Sequence, residues 1–208
     1  MKMTDYNNEG FRPEVSKQEL IGYDKIAFEG KIFCIDNDKD VKSAVTDLGR
    51  YTRLGFDTET RPAFKKGQKY DVSLLQLSAG NKAYLFRLNM TGLPQQVAAI
   101  LANPGIAKIG VAIHDDIKAL QKLRKFTPSG FIELQDMVKE YGINSAGLKK
   151  LSAIILGSTI SKRQQVTNWE NPTLTQAQKI YAATDAWISL QIYDKLVESS
   201  LLSGEDNL

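Results

Sequence analysis

The order of strand-length apolar runs and helical patterns constrains this chain more than any other feature. Residues 54–58, 72–77 and 83–86 are three apolar runs in succession, and Gly80-Asn81 between the last two is a hairpin signal. These three strands are expected to pair antiparallel. Strand and helix then alternate, beginning with a buried interior strand over residues 107–113. The order predicts a three-layer α/β fold with a mixed five- to six-stranded sheet and helices on both faces.

Residues 31–198 are expected to form one domain, with a lead segment over residues 1–30 and a tail over residues 199–208. A capping box from Ser16 to Glu19 predicts a short first helix, and another from Thr173 to Gln176 predicts the start of the last. The remaining strand is predicted over residues 32–35, and the helices over residues 17–23, 38–50, 93–102, 116–123, 148–156 and 174–199.

Composition excludes several classes of protein. Hydrophobic residues make up 42% and charged residues 25% of the 208 positions, near the averages for folded globular chains. A run of 18 apolar residues is absent, and residues 1–10 lack an apolar run of signal-peptide length, so we expect a cytoplasmic protein with no membrane association. The net charge of +3 is too small to indicate nucleic-acid binding by itself.

Nitrogen and sulfur ligands for metals are nearly absent. Cys34 is the single cysteine and His114 the single histidine, which excludes a disulfide framework and a cysteine-based zinc site. Any metal bound by this chain must therefore be held by oxygen.

One carboxylate lies where the last predicted helix should face the core. At 100° per residue, Asp185 falls in a stripe about 120° wide with Leu174, Tyr181, Ile188 and Ile192. An ionised carboxylate there is unfavourable unless it is paired or bound to a metal. A cap or a salt bridge to a neighbouring element is the alternative interpretation.

Other carboxylates follow predicted strands. Asp57 and Glu59 are two residues apart, so they project from the same face of a strand, and their repulsion favours a cation. Asp115-Asp116 follows the interior strand, and we expect Asp115 to cap the next helix. Oxygen-only sites suit Mg²⁺ or Mn²⁺, and two such ions can promote phosphoryl displacement. Phosphodiester hydrolysis is the natural candidate reaction.

Three segments resemble the exonuclease motifs of the DEDDy 3′-5′ exonucleases, the group that contains ribonuclease D and the Werner syndrome exonuclease domain. They are residues 56–59, 110–116 and 181–186, and the likeness extends from about Lys31 to Leu196. Tyrosine four residues before the last aspartate marks this subgroup, whereas the sister subgroup has histidine five residues before it, where this chain has Ile180.

The resemblance implies a ribonuclease H-like fold with four acidic residues at Asp57, Glu59, Asp116 and Asp185. By analogy, Asp57, Glu59 and Asp185 bind a first metal ion, while Asp57 and, through water, Asp116 support a second. Tyr181 orients the attacking water. His114 is given no catalytic role.

Substrate contacts are expected from residues near these motifs. Thr60 and the segment 75–77, which includes Leu75 and Gln76, adjoin the acidic strand, and Lys162 and Arg163 precede the last helix. Trp169 is a candidate for stacking on a base, with packing as the alternative. Two basic runs are candidates for phosphate contacts, with a solvated surface as the alternative: Lys65, Lys66 and Lys69, and Lys118, Lys122, Arg124 and Lys125.

These features predict a metal-dependent exonuclease that removes nucleotides from the 3′ end of DNA or RNA with two divalent ions. A catalytically weak nucleic-acid-binding module of the same fold is one alternative, and a two-metal phosphoesterase acting on small nucleotides is another. A protein partner is a possible source of substrate choice.

Overall fold

A six-stranded mixed sheet organises the structure, a computed structural model that describes residues 10–205 with side chains through Leu201. The strands are β1 Lys31–Ile35, β2 Arg53–Thr60, β3 Val72–Ala79, β4 Lys82–Arg87, β5 Ala107–Gly110 and β6 Phe131–Glu133. Their spatial order is β1-β4-β3-β2-β5-β6. As predicted, β2, β3 and β4 pair antiparallel; the other pairs are parallel.

Helices cover both faces of the sheet, which confirms the three-layer prediction. The helices are α1 Asp38–Leu48, α2 Leu88–Thr91, α3 Gln95–Ala102, α4 His114–Leu123, α5 Leu134–Met137, α6 Leu148–Leu156 and α7 Gln176–Glu205. On one face, apolar residues of α1, α3 and α4 pack against Leu54 and Phe56 of β2. On the other, α6 and α7 pack against Ile109 of β5.

Several helix starts differ from the sequence predictions. α4 begins at His114, and its N-cap residue is Ile113 without a side-chain cap, so the assignment of Asp115 as the cap was wrong. The strand before it ends at Gly110 instead of residue 113, because Ala112 has a positive φ of 60°. α7 begins at Gln176, and its capping box joins Thr175 and Gln178, two residues later than predicted.

The lead segment packs against the helices. Ser16 and Glu19 form the predicted capping box, which starts a 3-10 helix over Glu19–Gly22. Val15 and Leu20 are buried with residues of α6 and α7. Residues 1–9 lie outside the described residues, as do residues 206–208 of the predicted tail, and α7 runs through residues 199–205. The domain boundary at residue 31 stays a prediction.

Within residues 10–205, none of the helices has the length and apolar character needed to cross a bilayer. The cytoplasmic location stays a prediction.

Gly55 sets the distance between α7 and β2. A Cβ atom on Gly55 would overlap the Ala186 carbonyl oxygen and would lie 2.5 Å from Ser78 Oγ. Only glycine therefore permits this contact between helix and strand. The contact fixes where the preceding residue, Asp185, lies above β2.

Gly55→Ala is expected to destabilise the fold by about 1–3 kcal/mol, because α7 must move away from β2 to admit the methyl group. Gly22→Ala is the matched control, since nothing lies within 4 Å of a Cβ there and the backbone is not left-handed. Urea unfolding midpoints measure both changes. Equal midpoints for the two variants would show that the close approach does not constrain α7.

Candidate active site

Three carboxylates from two elements meet at the end of β2. Alternation along β2 puts Asp57 and Glu59 on the face covered by α7, and α7 brings Asp185 over that face. One carboxylate oxygen from each residue lies within 4.8 Å of the others. The predicted convergence of these three acids is therefore present.

The carboxylates of this cluster are largely buried, which suits them to binding a divalent cation. Glu59 is 8% exposed and Asp185 is 6% exposed, and Asp185 Oδ1 has no hydrogen-bond partner among the described residues. An unpaired carboxylate oxygen in such a position is unfavourable. Three closely spaced carboxylates, in a group without histidine or cysteine, form the donor set that Mg²⁺ and Mn²⁺ prefer.

Mutual repulsion makes these carboxylates hard to ionise together. Burial, then the charges of Asp57 and Asp185, raise the pKa of Glu59 to about 10. Burial and the charge of Asp185 raise the pKa of Asp57 well above its ordinary value. Burial also raises the pKa of Asp185 to about 7. Without a cation, the cluster therefore retains protons that exposed carboxyl groups would release.

Lys162 is a cation that opposes this repulsion. Its charge acts to lower the pKa of Asp57, Glu59 and Asp185. The side chain is exposed, so this lysine adjoins the carboxylates without neutralising them as a buried ion pair would.

Tyr181 lies one helical turn before Asp185 and is 7% exposed. Leu74, Leu85 and Trp169 pack around it, with the Trp169 and Tyr181 ring centroids 5.9 Å apart. Burial and the neighbouring carboxylates raise the pKa of the Tyr181 phenol. The phenol therefore stays protonated and acts as a hydrogen-bond donor toward this site.

Asp116 lies outside the group of three acids and is held from the opposite face of β2. Thr58 Oγ1 donates a hydrogen bond to Asp116 Oδ1 at 2.5 Å. The charge of Asp116 is still felt by Asp57 and Glu59. Burial raises the pKa of Asp116 to about 6. Asp115 instead points to solvent and pairs with Lys118 at 3.0 Å.

Glu133 is a positioning residue that the sequence did not reveal. Its carboxylate accepts hydrogen bonds from the backbone N–H groups of Ala112 and Ile113 at 2.9 and 2.8 Å. These bonds fix the left-handed turn that directs the first turn of α4, and Asp116 with it, toward β2. Residues 124–147 lack regular periodicity, so no local signal marked Glu133. Thr58 could have been found, because alternation places it on the face of α4.

A cleft of about 290 Å³ opens at the carboxylates. Its lining presents carboxylate oxygens that can bind a metal ion on one side and the Lys162 ammonium group on another. The lining residues are Asp57, Thr58, Glu59, Val111, Ala112, Gln135, Ala146, Gly147, Leu148, Ile160, Lys162, Gln165, Tyr181, Asp185 and Ser189. Gln135, Gln165 and the segment 146–148 were not among the site residues predicted from the sequence.

The predicted substrate contacts include both exposed and buried residues. Lys162 lines the cleft, whereas Arg163 and Thr60 are exposed outside its lining.

Leu75, Gln76 and Trp169 are each 0% exposed, so the expectation that they touch a nucleotide was wrong. Leu75 packs in the core, and Trp169 packs on Tyr181, as its alternative interpretation held. Gln76 pairs across the sheet with Asp57 and is not part of the lining of the cleft.

Some residues of the two basic runs form ion pairs or hydrogen bonds within the protein. Lys118 pairs with Asp115, and the Arg124 side chain donates to the Leu93 carbonyl at 2.6 Å. Lys65, Lys66 and Lys69 are exposed on the loop after β2. None of these lysines lines the cleft.

Comparisons with known proteins agree with this geometry. A mouse bifunctional 3′-5′ exonuclease/ATP-dependent helicase is 36% identical over 149 residues, which cover 69% of this chain and 11% of that protein. A mimivirus putative 3′-5′ exonuclease is 33% identical over 178 residues, covering 76% of this chain and 43% of that protein. This chain therefore spans less than half the length of these relatives.

Solved structures share the fold. Ribonuclease D of Escherichia coli superposes with a TM-score of 0.73 and 25% identity, covering 84% of this chain and 46% of that one. The exonuclease domain of Aedes aegypti Nibbler has a TM-score of 0.71 and 24% identity, covering 81% and 88%. A model of the 3′-5′ exonuclease family matches residues 32–200. With its three converging carboxylates and the adjoining tyrosine, this chain belongs to the 3′-5′ exonuclease family.

Proposed function

We propose that this chain removes nucleotides from the 3′ end of DNA or RNA with the help of two divalent ions, Mg²⁺ or Mn²⁺, and releases nucleoside 5′-monophosphates. The approach of Asp57, Glu59 and Asp185 within 4.8 Å, beside Tyr181, is the observation that carries the proposal. A solved relative with 20% identity, ribonuclease D of Trypanosoma brucei, is described in complex with RNA U12, which is consistent with a nucleic-acid substrate.

The residues present suit the proposed ions. Asp57, Glu59 and Asp185 would hold the first ion, and Asp57 and Asp116 would serve the second. When bound, such ions neutralise the charge of the reacting phosphate and make water a stronger acid. The raised pKa of Glu59 and of Asp185 means that cation binding must displace protons from the cluster.

Tyr181 is proposed to position the water that attacks phosphorus. Its protonated hydroxyl beside Asp185 can hold a water oxygen on the side of the cleft where the carboxylates lie. Attack forms one P–O bond and breaks the bond between phosphorus and the 3′ oxygen of the preceding nucleotide. The attacking water loses one proton to solvent, and the 3′ oxygen takes up one proton from solvent. The products are a shortened strand and a 5′-monophosphate.

A 5′-labelled oligonucleotide incubated with the protein and Mn²⁺ tests this reaction. A ladder that shortens from the 3′ end is expected. Binding without cleavage would instead support the weak nucleic-acid-binding module, and hydrolysis of mononucleotides alone would support the small-nucleotide phosphoesterase.

Substitutions in the site are expected to reduce this cleavage to different extents. Asp57→Asn removes a charge shared by both proposed ions, so we expect kcat to fall by at least about 10³-fold. Tyr181→Phe removes only the hydroxyl, so a fall of about 10²-fold is expected. Asp116→Asn should be impaired, whereas the control Asp115→Asn should match the wild type. Full activity of Asp57→Asn would contradict the assignment.

Without bound metal, the folding stability of the protein is expected to decline as pH rises. The folded-state pKa of Glu59 and of Asp185 lies above the unfolded value, so the metal-free folded state binds more protons. Its stability is therefore present at low pH and declines as pH rises through these raised values. In EDTA, Tm should fall between about pH 5 and about pH 8. Saturating Mn²⁺ at the higher pH should raise Tm, with a gain in stability of about 2.7 kcal/mol at 100 times Kd.

Asp185→Asn provides the matched variant for this measurement. Removal of one buried charge should raise Tm in EDTA at the higher pH by about 2–4 °C for each kcal/mol of repulsion removed. The same variant should lose most of the response to Mn²⁺. An unchanged Tm in EDTA together with a full Mn²⁺ response would show that Asp185 is not part of the metal site.

A further inference from the structure

A second concavity, of about 580 Å³, adjoins the catalytic cleft. Its lining is rich in lysine and contains no acidic residue. The lining residues are Lys17, Leu20, Ala146, Gly147, Lys149, Lys150 and Lys162. We call this concavity the lysine pocket.

The lysine pocket and the catalytic cleft share part of their walls. Ala146, Gly147 and Lys162 line both. Lys162 therefore stands between the carboxylates on one side and the other three lysines on the other. A chain-like ligand with one end at the carboxylates can pass Lys162 and enter the pocket.

The charges in the pocket are available for a ligand. Among the described residues, none of Lys17, Lys149, Lys150 and Lys162 has an acidic partner within ion-pair distance. Glu19, the nearest acid in sequence to Lys17, is paired with Arg12 at 2.5 Å. Lys17, Lys149 and Lys150 have no such partner, and Lys162 is shared with the carboxylates of the cleft; together they produce a positive potential that attracts anions.

The wall of the pocket is held in place by the lead segment. Leu20 and Val15 are buried against α6 and α7, and the Asn144 N–H donates to the Pro13 carbonyl at 2.8 Å. Lys17 of this segment lines the pocket together with Lys149 and Lys150 at the start of α6. The pocket is consequently a built feature of the fold, made by two segments more than 100 residues apart in the chain.

We propose that the lysine pocket binds the backbone phosphates of the substrate strand on the 5′ side of the bond to be cleaved. The inference rests on the proposed function. Lys162 is the one basic residue in the lining of the cleft among the described residues, so cationic contacts beyond the cleft favour the retention of a long strand. Lysines bind phosphates as point charges and do not read bases, so the pocket adds affinity with strand length and without sequence preference.

The triple variant Lys17→Ala, Lys149→Ala, Lys150→Ala tests the pocket and spares Lys162 in the cleft. A matched control removes three exposed lysines of β1 and α1, outside the lining of the pocket and the cleft, Lys31→Ala, Lys39→Ala, Lys42→Ala, and so has the same net charge. For the pocket variant we expect KM for a 5′-labelled single strand of about 12 nucleotides, DNA or RNA, to rise roughly 10-fold or more. The control variant should match the wild type.

Salt dependence provides a second measure. In fluorescence anisotropy titrations in the Asp57→Asn background, the slope of log K against log salt should shrink by about 0.7 for each phosphate that the pocket variant no longer binds. Equal affinities and slopes for the pocket and control variants would overturn the proposal.

A small substrate separates this inference from the proposed function. The p-nitrophenyl ester of thymidine 5′-monophosphate has one phosphodiester and no upstream strand. Its hydrolysis should be the same in the wild type and the pocket variant, and a parallel fall in activity on both substrates would overturn the role in strand binding. If the wild type hydrolyses neither substrate, the proposed function fails. The phosphate-binding pocket still stands if the pocket variant binds the long strand more weakly than the wild type and the control variant do.

Discussion

The close contact between α7 and β2 is the constraint on which the site depends. Gly55 lets the Ala186 carbonyl approach the strand, and this places Asp185 above the face that carries Asp57 and Glu59. Strand alternation alone supplies two of the carboxylates, and only the position of α7 adds the third. The same helix carries Tyr181 one turn earlier, so one packing contact sets both the acidic cluster and the phenol beside it.

Electrostatic repulsion is what this packing must overcome, and it links stability to function. Burial raises the pKa of Glu59 and Asp185, so the metal-free cluster is destabilising at neutral pH. Hydrophobic packing on both faces of the sheet holds the acids together, and a cation would remove the repulsion. Sites that need preorganised charge commonly reduce the stability of the fold in this way. The lysine pocket shares a wall with the cleft and would hold the upstream part of the polyanionic strand.

The sequence predicted the secondary-structure elements and the acidic site residues more accurately than the contacts that hold them in place. Apolar periodicity identified the strands that form the centre of the sheet, and Asp185 was recognised because a charge interrupted an apolar stripe. The three-residue strand β6 and the role of Glu133 were missed, because their contacts join segments distant in sequence. Trp169 and Gln76 were assigned to substrate because sequence position near a motif does not report burial. Asp115 was taken for a cap because its strand was predicted three residues too long.

The most direct test of the proposed metal site is the location of bound metal in a crystal soaked with Mn²⁺. Anomalous scattering peaks are expected at the acidic cluster, with one ion in direct contact with oxygens of Asp57, Glu59 and Asp185 at roughly 2.0–2.6 Å. The peaks should vanish in Asp185→Asn crystals soaked in the same way. Saturating Mn²⁺ that leaves these three carboxylates without a peak, or that binds only elsewhere on the protein, would contradict the proposed metal site.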